Sequence, residues 1–356
     1  MGDRESFLSL VVLTLVSGCA VGSGAIKSQG NGGGASGGSS STGGGGTGGD
    51  GCSSMTPCEG NGICPAVTLA TCQDGPLAIA VDANNVYWID TAYGSDPSDP
   101  LSGAVMKVPI TGGTPVTIVS DPFGVFTFAV GATNVYWANG DYLMMAPLAG
   151  GAPVMTAFDE PKSIAADATN VYWTYWPSGD VLAGMVMKAP VTGGAAVVLA
   201  SGQSAPAGIA VDATNVYWLT SASSGDAVMK VPITGGAPVV LASLQSSPTN
   251  MTGDATNVYW LTSTSSSAAV MKVPITGGTP VTLASSTTSL FGIAADATNV
   301  YWTSSSVLGG VVMKVPITGG TPAKVASGLN LSGGIAVDAT NIYWTGFDGV
   351  VAKMAK

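Results

Sequence analysis

The sequence contains no histidine, and its only arginine is Arg4, which lies in a leader that we expect to be removed. Without histidine the chain cannot build a Ser-His-Asp triad or a metal site with imidazole ligands. Without arginine in the mature chain, it also lacks the arginine clamp of sialidases. For catalysis, these absences leave only carboxylate groups or a metal ion held by carboxylates.

Charge is scarce as well. Charged residues make up 9% of the chain, against about 25% in average soluble domains. The formal net charge is -10, and both nucleic acid and anionic lipid are held by clustered Lys and Arg. We therefore expect no nucleic-acid partner. No apolar run reaches the roughly 20 residues that span a bilayer, and no segment has helical periodicity of useful length.

What the sequence does contain is a repeat. Asn215-Val216-Tyr217-Trp218 recurs in near copies whose tyrosines are separated by 49, 36, 45, 42, 42 and 42 residues. These tyrosines are Tyr87, Tyr136, Tyr172, Tyr217, Tyr259, Tyr301 and Tyr343. Around Tyr217, four β-rich runs bounded by turn residues fill one unit: 208–212, 215–219, 228–233 and 238–243. Four short strands per unit of about 42 residues predict the blades of a propeller.

The strands also predict how blades meet. The first strand of each unit uses small residues, as in Gly292-Ile293-Ala294-Ala295, which allows close approach around a central axis. In the second strand, Tyr and Trp are adjacent and so point to opposite faces. Each blade should therefore offer one aromatic side chain to each neighbouring blade.

The two ends predict how the ring closes. The last unit stops at Lys356 after its third strand, and residues 66–71 match the missing fourth strand. We therefore predict an all-β fold over residues 65–356, a seven-bladed β-propeller of four-stranded blades whose N-terminal strand joins the last blade. This closure would remove two exposed sheet edges.

The N-terminal region predicts export. An apolar run, Phe7 to Val16, ends in Val16-Ser17-Gly18-Cys19, which resembles the lipobox of bacterial lipoproteins. The resemblance implies a signal peptide over residues 1–18, cleavage before Cys19, acylation of its thiol and, with Ala20 next, an outer-membrane or cell-surface location. Two alternatives are a secretory leader without lipid and N-myristoylation at Met1-Gly2 with Ser6.

Between this leader and the propeller lie two short segments. Residues 19–51 comprise the lipidated cysteine and a flexible Gly/Ser linker. Residues 52–64 form a lead-in rich in cysteine, and Cys52, Cys58, Cys64 and Cys72 are expected to form two disulfides. An extended strand between Cys64 and Cys72 would hold those two roughly 25 Å apart, which excludes their pairing and leaves two connectivities.

Tyr172-Trp173-Thr174, Tyr301-Trp302-Thr303 and Tyr343-Trp344-Thr345 resemble the Tyr-Trp-Thr-Asp propeller repeats of the low-density-lipoprotein receptor class. The Gly-Ile-Ala-Val-Asp strand is similar to NHL-type and related secreted bacterial propellers. The resemblance implies the fold of residues 65–356. It carries over no functional residue, because the fourth-position Asp is replaced and the receptor class has six blades.

Two charged series follow the repeat and are predicted to be structural. Acids at the first turn of six units should accept hydrogen bonds from their own backbone amides; they are Asp82, Asp167, Asp212, Asp254, Asp296 and Asp338. Lysines in the third strand should pack their stems beside the aromatic strand with the ammonium groups exposed; they are Lys107, Lys188, Lys230, Lys272, Lys314 and Lys353.

Residues that break the repeat are the candidate site. Loops from second to third strands and connections between blades should emerge on one face of the propeller. The candidate ligand-binding residues on that face are Asp90, Tyr93, Asp96, Asp99, Asp121, Asp141, Asp159, Glu160, Tyr175, Trp176, Asp180 and Asp348, with Asp74 and Asp226 beside them. Acidic loops with unpaired aromatics suit a sugar platform or a calcium ion, and a solvated rim is the simpler alternative.

The sequence therefore favours a non-enzymatic cell-envelope lipoprotein whose propeller binds or scaffolds a protein or glycan. Its only membrane contact would be the lipid anchor, no cofactor other than calcium is indicated, and the oligomeric state is not specified. The alternative is a carboxylate- or calcium-dependent extracytoplasmic enzyme of the lyase, lactonase or phosphatase type.

Overall fold

The structure is a computed structural model that describes residues 66–91, 103–121, 123–157, 160–177, 180–221, 226–264, 267–304 and 309–356. All regular secondary structure in these ranges is β-strand. The strands are β1 (Val67–Ala70), β2 (Pro76–Val81), β3 (Asn85–Thr91), β4 (Gly103–Pro109), β5 (Val116–Asp121), β6 (Thr127–Val130), β7 (Asn134–Ala138), β8 (Leu143–Pro147), β9 (Val154–Ala157), β10 (Pro161–Ala166), β11 (Asn170–Tyr175), β12 (Gly184–Pro190), β13 (Val197–Gln203), β14 (Ala207–Val211), β15 (Asn215–Thr220), β16 (Asp226–Pro232), β17 (Val239–Gln245), β18 (Pro248–Gly253), β19 (Asn257–Ser263), β20 (Ala268–Pro274), β21 (Val281–Ser286), β22 (Leu290–Ala295), β23 (Asn299–Ser304), β24 (Gly310–Pro316), β25 (Ala323–Leu329), β26 (Leu331–Val337), β27 (Asn341–Gly346) and β28 (Val350–Ala355).

The strands form seven antiparallel four-stranded sheets, which confirms the seven-bladed β-propeller. Blades 1 to 6 are consecutive meanders, β2–β5, β6–β9, β10–β13, β14–β17, β18–β21 and β22–β25. Blade 7 has the order β1-β28-β27-β26, so the N-terminal strand supplies its outermost strand. Val67 pairs with Lys353 and Thr68 with Ala352. The predicted ring closure is therefore confirmed.

The core lies between blades, where the repeated aromatic pair is buried. Tyr217 of blade 4 packs in one cluster with Trp260 of blade 5, and Tyr87 of blade 1 packs with Trp137 of blade 2. The same arrangement crosses the closure, where Tyr343 and Trp88 share a cluster. Each blade thus gives its Tyr to one neighbour and its Trp to the other, as the alternation predicted.

The first strands crowd around the axis, and glycine is required where they approach most closely. A Cβ on Gly334 in blade 7 would overlap the carbonyl oxygen of Leu77 in blade 1, and one on Gly292 would overlap that of Gly333. Thr345 Oγ1 donates to the same Leu77 oxygen at 2.5 Å. The small residues of the first strand therefore set the diameter of the ring.

None of the residues described form a helix with the length and hydropathy of a membrane span. The predicted signal peptide, Cys19, the linker and Cys52, Cys58 and Cys64 lie outside the described residues, so the domain boundaries, lipidation and disulfide predictions are not tested. Cys72 is described; it follows β1 on the path to β2, with a φ of 59°.

Candidate functional site

The propeller has two faces of different construction. The turn face carries the turns from first to second strand and from third to fourth strand of each blade. They meet there, as when the Ile233 amide donates to the Thr214 carbonyl at 2.9 Å. The loop face carries the loops from second to third strand and the connections between blades, which meet when the Ser221 amide donates to the Ser204 carbonyl at 3.0 Å.

On the turn face the repeated acids are consumed by the fold. Asp212 Oδ1 accepts the amides of Thr214 and Asn215, each at 2.7 Å. Its Oδ2 accepts the hydroxyl of Tyr217 at 2.6 Å. The same tyrosine bond occurs in the other five units that have the acid, in Asp82, Asp167, Asp254, Asp296 and Asp338. The amide bonds confirm the turn prediction, whereas the tyrosine bond was missed.

These contacts shift the pKa values of the tyrosines and of Asp167, Asp296 and Asp338. Burial raises the pKa of Asp167, but hydrogen bonds from Tyr172 and from backbone amides outweigh burial, so the net shift is downward. Burial, followed by the bond to Asp212, raises the pKa of Tyr217. The pKa values of Asp296 and Asp338 are lowered as well, so these three carboxylates are held ionised by the fold and stabilise it.

The prediction that the repeated lysines expose their ammonium groups is wrong for five of them. Lys230 Nζ donates to the carbonyl of Ile275 in the next blade at 2.6 Å, and Lys188 donates to Ile233 at 2.6 Å. Lys107 reaches Leu148 at 2.6 Å; Lys272 bonds Ile317 and Lys353 bonds Ile110 across the closure. These half-buried ammonium groups bond neighbouring blades to each other, and we call each such bond a lysine clasp.

Blade 2 has no lysine clasp, because it has Met145 where the other blades have lysine. The carbonyl that a lysine would reach, that of Val191 in blade 3, instead accepts the Nδ2 of Asn134 at 3.4 Å. The side chain differs, but the same carbonyl position is bonded. The repeated acids and five of the repeated lysines on the turn face therefore have hydrogen-bond partners within the propeller.

The loop face is built from single-copy contacts. Asp121 ends β5 and is 5% exposed. Its Oδ2 accepts Trp137 Nε1 at 2.8 Å and Asn139 Nδ2 at 2.9 Å, and its Oδ1 accepts the Phe123 amide at 3.0 Å. This predicted ligand residue is thus buried between blades 1 and 2, where it positions the loop.

Asp90, another predicted ligand residue, lies near the end of β3, with β4 between it and the strand that carries Asp121. Burial, and the nearby charge of Asp74, raise the pKa of Asp90 to about 6. Its Oδ1 is buried and has no hydrogen-bond partner in the described part of the chain. Burial disfavours the ionised form of this carboxyl group. Its Oδ1 has capacity left for a hydrogen bond.

Blade 3 brings together Glu160, Trp176 and a residue that the sequence did not single out, Lys162. Lys162 Nζ lies 3.0 Å from Glu160 Oε2 and 5.0 Å from the centre of the Trp176 ring. Tyr175 ends β11, is half-buried, and packs against the core cluster of blades 2 and 3. The signal for Lys162 was its position in a first strand, outside the lysine series.

The remaining candidates are spread around the face. Asp141, Asp180 and Asp348 are exposed. Asp180 Oδ1 accepts the Leu182 amide at 3.0 Å, and Asp226 Oδ2 accepts the Ser247 amide at 2.9 Å. Tyr93, Asp96, Asp99 and Asp159 lie outside the described residues. The residues described contain no group of three or more potential metal ligands.

Sequence reasoning also missed exposed apolar side chains on this face. Phe123 is 68% exposed, Phe347 63%, Leu182 64% and Phe126 46%. All of them lie in loops or connections between blades. Each is present once, so no periodic pattern draws attention to it.

A shallow cleft of about 180 Å³ opens between the outer parts of blades 5 and 6. Trp302, Met313 and Pro322 are among its apolar lining, and Ser286, Thr288 and Ser304 line its polar side. Thr288 Oγ1 lies 3.0 Å from Ser286 Oγ and 2.7 Å from Ser304 Oγ. These hydroxyl groups therefore satisfy one another.

No family model matches the sequence, and no curated protein matches it. The fold is similar to that of an oligogalacturonate lyase from Vibrio parahaemolyticus, with a TM-score of 0.56 and 8% identity over 81% of this chain and 91% of that one. It is similar to a puromycin-hydrolyzing peptidase of Mycobacterium tuberculosis, with a TM-score of 0.56 and 12% identity over 79% of this chain and 52% of that one.

A nidogen/laminin complex contains a chain with 18% identity and a TM-score of 0.47, covering 61% of this chain and 88% of that one. At these identities the comparisons show the fold alone. The fold does not by itself decide between an enzyme and a binding module.

Proposed function

We propose that the chain is a non-enzymatic binding module of the cell envelope that takes a protein or glycan ligand on its loop face. The observation that carries the proposal is the unequal use of polar groups on the two faces. Turn-face acids are bonded within their own blade, and five of the repeated lysines bond the next blade. Both series repeat from blade to blade. Loop-face carboxylates and aromatics are single-copy and mostly exposed.

Exposed aromatic side chains on the loop face are candidates for contact with a ligand. A loop-face phenylalanine that is 68% exposed, such as Phe123, buries little of its apolar surface within the fold. Aromatic residues are enriched where proteins bind partners. Trp176, half-buried beneath the Lys162 ammonium group, is a second anchor of this kind.

The proposal also covers the cellular location of the chain. The lipobox-like Val16-Ser17-Gly18-Cys19 and the Gly/Ser-rich residues that follow support export, acylation at Cys19 and tethering to the outer membrane. Labelling with radioactive palmitate in a bacterial host tests this part. The wild-type chain should incorporate label, Cys19→Ser should not, and label in the Cys19→Ser chain would contradict the anchor.

The binding part is tested by capture from solubilised envelope fractions on the full mature chain. We expect Phe123→Ser, Trp176→Ala and Asp348→Asn, three loop-face variants, to include at least one that loses the captured ligand. Lys324→Gln, an exposed change on the turn-face half of β25, is the matched control and should retain it. Equal capture by all four variants would contradict a loop-face site.

A further inference from the structure

Two of the contact surfaces between adjacent blades, which we call seams, are built alike and differ in one side chain. They are the seam between blades 1 and 2 and the seam between blades 5 and 6. Asp121 pairs with the first residue of β4, and Ser286 pairs with the first residue of β20, so the two occupy equivalent positions. Asp121 bonds Trp137 of blade 2, and Ser286 lines a cleft together with Trp302 of blade 6.

The two seams share a hydrogen bond at the connection to the next blade. The Phe123 amide donates to Asp121 Oδ1 at 3.0 Å, and the Thr288 amide donates to Ser286 Oγ at 3.0 Å. They differ in what lies beyond it. Asp121 also has Oδ2, which accepts the indole N–H of blade 2 at 2.8 Å. Serine is one atom shorter, and its hydroxyl bonds Thr288. The indole of Trp302 therefore lacks the acceptor that its counterpart has.

Trp302 combines an unpartnered donor with access to a cleft. It is 4% exposed and lines the cleft of about 180 Å³ between blades 5 and 6. Its Nε1 has no hydrogen-bond partner in the described part of the chain. Three other indoles lack a partner for Nε1 but are fully buried, and they are Trp88, Trp173 and Trp260. At Trp302 an acceptor from a ligand can reach the seam.

The lining of the cleft selects a neutral group that both accepts and donates a hydrogen bond. The indole of Trp302 offers the donor. Ser286, Thr288 and Ser304 bond one another, and a hydroxyl oxygen can accept two hydrogen bonds while it donates one. The three hydroxyl groups can therefore accept a ligand N–H. None of the residues that line the cleft is charged, so a carboxylate would find neither a counter-charge nor a use for its second oxygen. A secondary amide supplies both the carbonyl and the N–H.

We propose that this cleft binds the acetamido group of an N-acetylated sugar, with the carbonyl oxygen on Trp302 Nε1, the N–H on the hydroxyl groups and the methyl group against Met313 and Pro322. The seam between blades 3 and 4 contains a precedent, since the amide oxygen of Gln203 accepts Trp218 Nε1 at 3.2 Å. The apolar lining favours an acetamido group over a glutamine side chain, whose amide ends without a methyl group. This inference rests on the proposed binding function and names the chemistry of its glycan.

Indole N–H resonances test the inference on the full mature chain labelled with ¹⁵N-tryptophan. The probes are tri-N-acetylchitotriose, its de-N-acetylated form chitotriose, and cellotriose, which share one pyranose backbone. We expect the acetylated trimer to shift the Trp302 signal, assigned with Trp302→Phe, with a Kd near or below about 1 mM. Chitotriose and cellotriose should leave that signal in place. The signal of Trp218, whose N–H is bonded to Gln203, is the internal control and should not move.

One variant fills the cleft from within. Ser286→Asp copies the side chain that blade 1 carries at Asp121, so its carboxylate should bond Trp302 Nε1 and weaken binding of the acetylated trimer at least about tenfold. Ser120→Asp adds the same charge at an exposed position of blade 1 and should bind like the wild type. Thermal unfolding should show that both variants remain folded, because the first recreates a pair that the propeller already contains and the second is exposed.

Three results would overturn the inference. The first is no shift of the Trp302 signal by the acetylated trimer up to about 10 mM. The second is an equal shift by cellotriose, which shows that the acetamido group is not recognised. The third is wild-type binding by Ser286→Asp. If the Trp302 signal answers a Gly-Gln-Gly peptide instead, the ligand class is wrong. If it answers no probe while envelope capture depends on Trp176 or Asp348, the cleft inference fails and the loop-face function stands.

Discussion

The turn face and the loop face are made from the same few residue types but use them in opposite ways. Asp212 on the turn face accepts two amides and a tyrosine hydroxyl. Asp90 on the loop face has a buried oxygen without a partner. Lysines on the turn face clasp blades, whereas Lys162 lies against Glu160 and Trp176. The comparison teaches that repeated charge serves the fold, whereas single-copy charge is divided: Asp121 is buried and bonded between blades, and Asp141, Asp180 and Asp348 are exposed.

The largest effect is expected from a deletion that opens the ring on which both faces depend. Deleting residues up to Gln73 takes away β1 and leaves β28 as an open edge. We expect an insoluble or molten product, measured by solubility and the loss of a cooperative thermal transition. Deleting residues 1–51 is the control and should leave the transition unchanged. A soluble deletion up to Gln73 with the wild-type melt would refute the closure.

Next in size is the loss of a turn-face carboxylate. Asp212→Ala leaves two amides and the Tyr217 hydroxyl without their acceptor, and we expect a loss of about 2 to 3 kcal/mol in the free energy of unfolding. Asp141→Ala on the loop face is exposed and should change it by less than about 0.5 kcal/mol. Denaturant titration measures both, and equal losses would abolish the distinction between faces.

Acid should act on the two faces with opposite sign. The folded-state pKa values of Asp167, Asp296 and Asp338 are lowered, so these carboxylates stabilise the fold at neutral pH and lose that contribution as pH falls through their folded pKa values. The pKa of Asp90 is raised to about 6, so its contribution is present in acid and lost as pH rises through about 6.

Asp90→Asn should therefore stabilise the protein at pH 7 by about 1 to 2 kcal/mol, less than the full shift implies because the group is partly exposed to solvent. The gain should shrink toward zero near pH 4, where the wild-type carboxyl group is protonated in the folded state. Unfolding free energies at the two pH values measure this. A variant less stable than the wild type at pH 7 would show that the ionised carboxylate is favourable.

The smallest expected effect concerns the clasps. Lys230→Met copies the residue that blade 2 carries naturally at Met145, so packing is kept and only the bond to Ile275 is lost. We expect a loss of about 1 kcal/mol in unfolding free energy. Lys162→Met on the loop face should cost less than about 0.5 kcal/mol. A larger loss for Lys162 would assign it a structural role instead.

The fold could be read from the sequence because its determinants repeat. Seven Tyr-Trp pairs, small first strands and turn residues at fixed spacing specify blades, and the unmatched fourth strand at residues 66–71 specifies the closure. The acids at the first turn were also predictable, because an Asp opening a tight turn binds its own amides.

The lysine clasps could not be read from the sequence, because their acceptors lie 45 residues away for Lys188, Lys230 and Lys272 and are backbone atoms. The tyrosine bond to the turn acid was hidden by the stronger hydrophobic signal of Tyr-Trp. On the loop face, composition located the acids on one side but could not show that Asp121 is buried while Asp141 is exposed. That difference depends on Asn139 and Trp137 in the next blade.

The most direct test of the division between faces is carboxyl amidation of the full mature chain with a carbodiimide and glycinamide, followed by peptide mapping and envelope capture. The account predicts modification at Asp141, Asp180 and Asp348, little at Asp167, Asp212 and Asp338, an unchanged thermal melt and loss of the captured ligand. Retained capture by a protein amidated at those three loop-face positions would contradict it.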